Sequence, residues 1–171
     1  MSISSTKYCL DANVLIQAWN KYYSPKLCPG YWTALNEFGK KGRVFVPQHV
    51  FEEIVRTEDD LADWLKKSQI PVYPVDEGVT KCLSDLFAAD ASHQLLADNT
   101  RYRSMADPWV IAHAMKEKAC VVTKEEKITT GNKVKIPNVC DNMGVRWIND
   151  FEMVAELGLQ FSCSITNPGN V

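Results

Sequence analysis

Short apolar, β-prone runs alternate with amphipathic segments of helical period along this chain, and that alternation limits the fold more than any other feature. Strands are predicted at 8–10 (YCL), 43–46 (RVFV), 120–122 (CVV) and 145–148 (VRWI), with PVYPV at 71–75 extended because two prolines forbid helix there. Between them lie predicted helices at about 12–22, 29–41, 48–67, 77–97, 108–118 and 150–157. Pro29 opens the second of these and Gly42 closes it, while Gly158 caps the last. Strands separated by helices imply right-handed βαβ units, so the predicted class is α/β, a parallel sheet with helices on both faces. With 171 residues the chain suits one domain, here 1–163, and the polar tail at 164–171 (SITNPGNV) reads as disordered.

Composition excludes several classes. At 46% hydrophobic and 23% charged the chain is globular rather than fibrous or disordered. No apolar run approaches the ~18 residues that span a bilayer, so no membrane segment is expected. The start, MSISSTKYCLDANVL, lacks an apolar targeting core and is read as untargeted. Six cysteines suggest a disulfide framework by their even number, but without a CxxC or zinc spacing, and in a chain this long, reduced structural thiols and a cytoplasmic location are the stronger expectation. The balance of 19 basic against 21 acidic residues leaves no global basic surface for nucleic acid, though a local basic rim is compatible with it.

In open α/β sheets the functional crevice lies beyond the carboxyl ends of the strands. The residues found there are acidic. Asp11 follows the first strand, Thr123-Lys124-Glu125-Glu126 follows the third, Glu52 and Glu53 sit on the helix after Pro47, and Asp107 opens the helix before the third strand. Each has a plain structural alternative: Asp11 as an N-cap, Asp107-Pro108 as a cap followed by proline, Thr123 with Glu126 as a capping box. Helical geometry separates some of these. Val110, Ile111, Ala114 and Met115 share an arc about 140° wide with Asp107 near its middle, so its carboxylate is expected to face inward. On the 48–67 helix Glu53 lies at the edge of the apolar arc beside Trp64, with Glu52 farther toward water.

Several carboxylates in one cleft repel unless a cation sits among them, and an all-oxygen set selects Mg²⁺ or Mn²⁺ over zinc. Such an ion activates water and neutralises phosphoryl charge, which points to phosphodiester hydrolysis. Nucleotide-binding glycine motifs, a nucleophile elbow and HExxH are all missing, and Asp11-Ala12-Asn13 lacks the second Asp of an aspartyl-phosphate loop. His49, His93 and His113 have no partner spacing and read as structural or exposed. The aromatic stretch Trp19, Tyr22, Tyr23, Tyr31, Trp32 reads as core or subunit-interface packing in preference to base stacking.

LDANVLI at 10–16, the acid of VFEEIVR at 50–56, ADPWVIAHA at 106–114 and VVTKE at 121–125 resemble, in order, the four acidic motifs of the PIN domain. More closely the chain is similar to the PIN-like DUF4411 group, whose C-terminal signature resembles IPNVCDNMGVRWINDF at 136–151. The resemblance implies a three-layer α/β/α fold with a central parallel sheet of about four to five strands. It also implies a Mg²⁺- or Mn²⁺-dependent endoribonuclease of the VapC type, the toxin of a toxin–antitoxin pair, often a homodimer, acting on RNA until an antitoxin protein blocks it. Carried over by motif, Asp11, Glu53 (Glu52 as fallback), Asp107 and Glu125 are the catalytic metal-ligating acids. Glu125 departs from the usual Asp by one methylene, which suggests a contact through water. Asn13 and Thr123 match positions that orient ligands or water. Arg101, Arg103 and Lys124 lie near the motifs as candidate RNA-phosphate contacts, with an ordinary solvated face as the alternative. A non-catalytic scaffold that binds RNA or a protein, and a DNA nuclease of the same superfamily, are the rival functions.

Overall fold

The computed structural model describes residues 5–97, 105–131 and 134–165. Arg101, Arg103 and the tail beyond 165 lie outside the described residues. Five strands, β1 (Tyr8–Leu10), β2 (Val44–Pro47), β3 (Val72–Tyr73), β4 (Cys120–Val122) and β5 (Trp147–Ile148), form one sheet in the order β3-β2-β1-β4-β5. Every pairing is parallel, with Cys9 opposite Phe45 on one side and Val121 on the other. Every residue of β1, β2 and β4 is buried, which requires helices over both faces. The layers are therefore α/β/α, as expected. The predicted extended run at 71–75 joins the sheet as its edge, where prolines cost no ladder hydrogen bond.

The helices are α1 (Ala12–Gln17), α2 (Pro29–Lys40), α3 (Gln48–Val55), α4 (Asp60–Lys67), α5 (Glu77–Ala89), α6 (Asp107–Glu117), α7 (Ile136–Met143) and α8 (Asp150–Glu156). Four differ from the sequence expectation. The single helix at 48–67 is two, because Glu58 turns left-handed (φ 54°) and the Asp59 carboxylate accepts from Ala62 N at 2.9 Å to start α4 afresh. α1 widens into a π-helical turn at Ala18–Tyr22. The 77–97 helix breaks at Asp90 into a 3₁₀ segment, Ala91–Ala97. α7 was not expected at all; Pro137 at its start and Gly144 (φ 65°) at its end are the signals that mark it.

The aromatic stretch divides between core and rim. Tyr31 and Trp32 are buried, and Trp32 packs edge-on to Trp19 (4.7 Å) and Trp64 (4.8 Å), whereas Tyr22 and Tyr23 are only half-buried. All six cysteines are free thiols. Among the described residues no helix is long and apolar enough to cross a membrane.

Candidate active site

The chain runs outward from β1 to β2 and β3, then crosses back to place β4 on the other side of β1. The sheet order thus reverses between β1 and β4, where an open α/β sheet forms its crevice. Asp11 leaves β1 at that point. Its N–H donates to Val122 O at 3.0 Å, extending the β1–β4 ladder by one residue. The backbone of Asp11 does occupy the N-cap position of α1, but its side chain caps nothing. Its Oδ2 instead accepts the Thr123 hydroxyl at 2.9 Å, across 112 residues of sequence. Both residues are sealed from water, Asp11 at 2% exposure and Thr123 at 0%.

Thr123 starts no helix, so the alternative reading of it as a capping box with Glu126 is not realised; its oxygen accepts Glu125 N at 3.1 Å and thereby folds the strand exit into a tight turn. Glu125 Oε2 in turn accepts Ile136 N at 2.8 Å, at the N-terminus of α7, where the helix dipole favours a carboxylate. Burial pushes the Asp11 carboxyl up to about 7 against the opposing pull of the Thr123 bond, and the charges of Glu125 and Glu53 push it further in the same direction. Glu53 is half-buried and belongs to this field, whereas Glu52 is exposed and accepts Gln48 Nε2 at 2.8 Å. Asp107 is buried (8% exposed) as the first residue of α6, with Ala106 at the cap position. The Cys9 thiol donating to Val110 O at 3.5 Å ties the first turn of α6 to β1. Asn13 is exposed on α1.

Lys124 does not present a free ammonium to an incoming phosphate. Its Nζ donates to Asp150 Oδ1 at 2.7 Å and lies over the rings of Phe151 (4.4 Å) and Tyr22 (4.9 Å), while Tyr22 OH donates to Asp150 Oδ2 at 2.7 Å. Asp150 is wholly buried. Sequence reasoning read it only as the start of a helix, although the rule that picked Asp11, inspecting the residues just past a strand, applies equally to the exit of β5.

The donor set fits a hard divalent cation. It is all carboxylate and hydroxyl oxygen, carries net negative charge, and includes a buried acid kept in an unfavourable field by its neighbours. Among the described residues no three His, Cys, Asp or Glu side chains are gathered into a ready coordination shell.

The parallel five-stranded α/β/α sheet, with a buried acid leaving its central strand at the switch point, matches a PIN-like fold. Solved structures that share the fold include two from toxin–antitoxin-type assemblies named VapBC2 and FitAcB. One is a chain of VapBC2 from Rickettsia felis, crystallised bound to a DNA fragment from their promoter (TM-score 0.57, 16% identity, covering 84% of this chain and 98% of that one). The other is a chain of FitAcB from Neisseria gonorrhoeae (TM-score 0.52, 16% identity, covering 84% of this chain and 98% of that one). No curated protein matches the chain by sequence. The model of the family described as domain of unknown function DUF4411 matches residues 8–161, and the chain belongs to that family.

Proposed function

We propose that the protein is a metal-dependent endoribonuclease, the toxin of a toxin–antitoxin pair, acting in the cytoplasm and held inactive by a cognate antitoxin protein. The observation that carries the reading is the buried Asp11–Thr123 bond at the sheet's switch point, set in the field of Glu53 and Glu125. Fold likeness to chains of VapBC2 and FitAcB supports a protein partner.

Asp11, Asp107, Glu53 and Glu125 would hold Mg²⁺ or Mn²⁺, which supplies a bound water of lowered pKa and neutralises charge on an RNA phosphate. The Thr123 hydroxyl keeps one Asp11 oxygen fixed, so the other is the one offered to the cleft. The first amide of α7 does the same for Glu125, immobilising Oε2 and leaving Oε1 for the cleft or for a bridging water. Asn13, exposed two residues after Asp11, would orient water or substrate.

The test is cleavage of a total-RNA substrate with Mg²⁺, with EDTA, and by variants. Asp11→Asn and Asp107→Asn abolish Mg²⁺-dependent cleavage without unfolding the chain, and Thr123→Val lowers it about 10- to 100-fold. Full activity in either Asn variant overturns the assignment. Cleavage of DNA alone identifies a DNA nuclease instead, and RNA binding with no cleavage identifies a scaffold.

A further inference from the structure

Next to the acidic site the sheet edge carries a second surface with a different chemistry. Phe151, on the first turn of α8, is 50% exposed, and Phe161, beyond α8, is 44% exposed. Both pack against Tyr23, at 6.2 Å and 5.5 Å between ring centroids, and Phe151 also packs against Tyr22 at 5.1 Å. Beneath, Tyr23 stacks on buried Tyr31 at 4.4 Å and 20°, and the Lys124 ammonium lies 4.4 Å from the Phe151 centroid. The rings are thus held in place from the protein side while two of them remain about half open to solvent. A purely structural aromatic cluster has no need of that exposure.

Two cations flank these rings in sequence, and the one acid that directly follows Phe151, Glu152, is engaged in the α8 capping box by accepting Asn149 N at 2.8 Å. Lys21 and Lys26 flank Tyr22 and Tyr23 in sequence, both are exposed, and neither forms an ion pair among the described residues. Lys40, Lys41, Arg56, Lys67 and Lys118 likewise form no ion pair among the described residues, so what sets Lys21 and Lys26 apart is their place beside the rings and not the lack of a partner. Open aromatic faces with unpaired cations beside them are complementary to an anionic chain of flat bases, more than to an apolar protein segment. The surface also adjoins the acidic cluster: Lys124, which supports Phe151, directly follows Thr123, whose hydroxyl binds Asp11.

We infer that Phe151, Phe161 and Tyr23, with Lys21 and Lys26, form a stacking platform for single-stranded RNA that delivers the strand to the acidic cleft. Unpaired bases lie on the exposed ring faces, and the two lysines neutralise phosphates between them. The platform cannot accept a duplex, whose bases have no free face. The inference rests on the ribonuclease reading for its direction toward the cleft, but the binding itself does not require cleavage.

The test is therefore made in EDTA, by fluorescence anisotropy of a labelled oligouridine and of the same length of RNA duplex. The wild type binds the single strand at least about tenfold more tightly than the duplex. Phe151→Ala and Phe161→Ala each weaken single-strand binding about tenfold, the loss of one stacked base. Lys21→Gln with Lys26→Gln lowers the slope of log K against log salt by ~0.7 for each phosphate released. Unchanged affinity in both phenylalanine variants overturns the platform even if the wild type cleaves RNA. Weakened binding upholds it even if no cleavage is found and the nuclease reading fails. If the variants bind RNA as the wild type does but lose a dimer seen by light scattering, the surface is a protein interface and the inference is wrong.

Discussion

Asp150 offers the sharpest test of how the site is held together. Its carboxylate is wholly buried and has two partners, the Lys124 ammonium at 2.7 Å and the Tyr22 hydroxyl at 2.7 Å. Replacing it with alanine leaves the Lys124 side chain, itself only 15% exposed, as a charge with no counter-ion. Breaking a buried pair in this way costs about 3–5 kcal/mol, and the stranded Tyr22 hydroxyl adds about 1 kcal/mol. The ring contacts of Lys124 with Tyr22 and Phe151 are present before and after and cancel. Because Lys124 and Tyr22 are only half-buried and water can reach them, the net loss for Asp150→Ala lies at the low end of that range, about 3 kcal/mol. In urea denaturation, with a slope near ~2 kcal/mol/M, the midpoint falls by ~1.5 M. Lys124→Met in the Asp150→Ala background removes the uncompensated charge and recovers most of the loss, so the double-mutant cycle shows a coupling of about 2 kcal/mol or more. Because Lys124 follows Thr123, the single variant also loosens the Asp11–Thr123 bond and lowers activity at temperatures where the protein is still folded. A loss under about 1 kcal/mol for Asp150→Ala, or a coupling near zero, refutes the claim that this ion pair anchors the exit of β4.

Three further outcomes follow from buried groups and close contacts. His113 is buried with no hydrogen-bond partner for either ring nitrogen among the described residues, and burial, aided by His49 across the helix interface and by Lys116, holds its pKa down to about 4 against the opposing Asp76 and Glu117. The unfolded chain therefore takes up a proton near 6.5 that the folded chain refuses until about 4, so stability is complete above 6.5 and falls by about 3 kcal/mol as pH drops to 4; His113→Leu flattens that limb in urea titrations at pH 4 to 7, and an unchanged slope contradicts the assignment. A Cβ on Gly39 meets Ile70 Cα at 2.7 Å, so Gly39→Ala costs about 1–3 kcal/mol, whereas at Gly30 nothing lies within 4 Å and Gly30→Ala leaves stability within about 1 kcal/mol; equal effects would show that α2 does not pack this closely. In native thiol titration exposed Cys163 reacts first, while Cys9, Cys120 and Cys140, buried and with thiols raised by desolvation, react only after unfolding.

The amino-acid pattern by itself determined the α/β class, the parallel sheet and the acids at the strand exits, because these depend on periodicity and turn chemistry within a few residues. The burial of Asp107, and of Glu53 relative to Glu52, is legible for the same reason: helical phase is local, and the structure has Asp107 buried, Glu53 half-buried and Glu52 exposed. The break at Glu58 and helix α7 had local signals too, Asp59 as a cap and Pro137 with Gly144 as bounds, but weak ones beside the stronger apolar periodicity around them. What only the tertiary structure decided was partnership. Asp11 and Thr123 meet across 112 residues, and Lys124 and Asp150 across 26, because β4 lies between β1 and β5. A side chain that reads locally as a cap or a free cation acquires its chemistry from whichever strand exit lies beside it. That neighbour is set by sheet order, which is a property of the assembled core and not of any window of sequence.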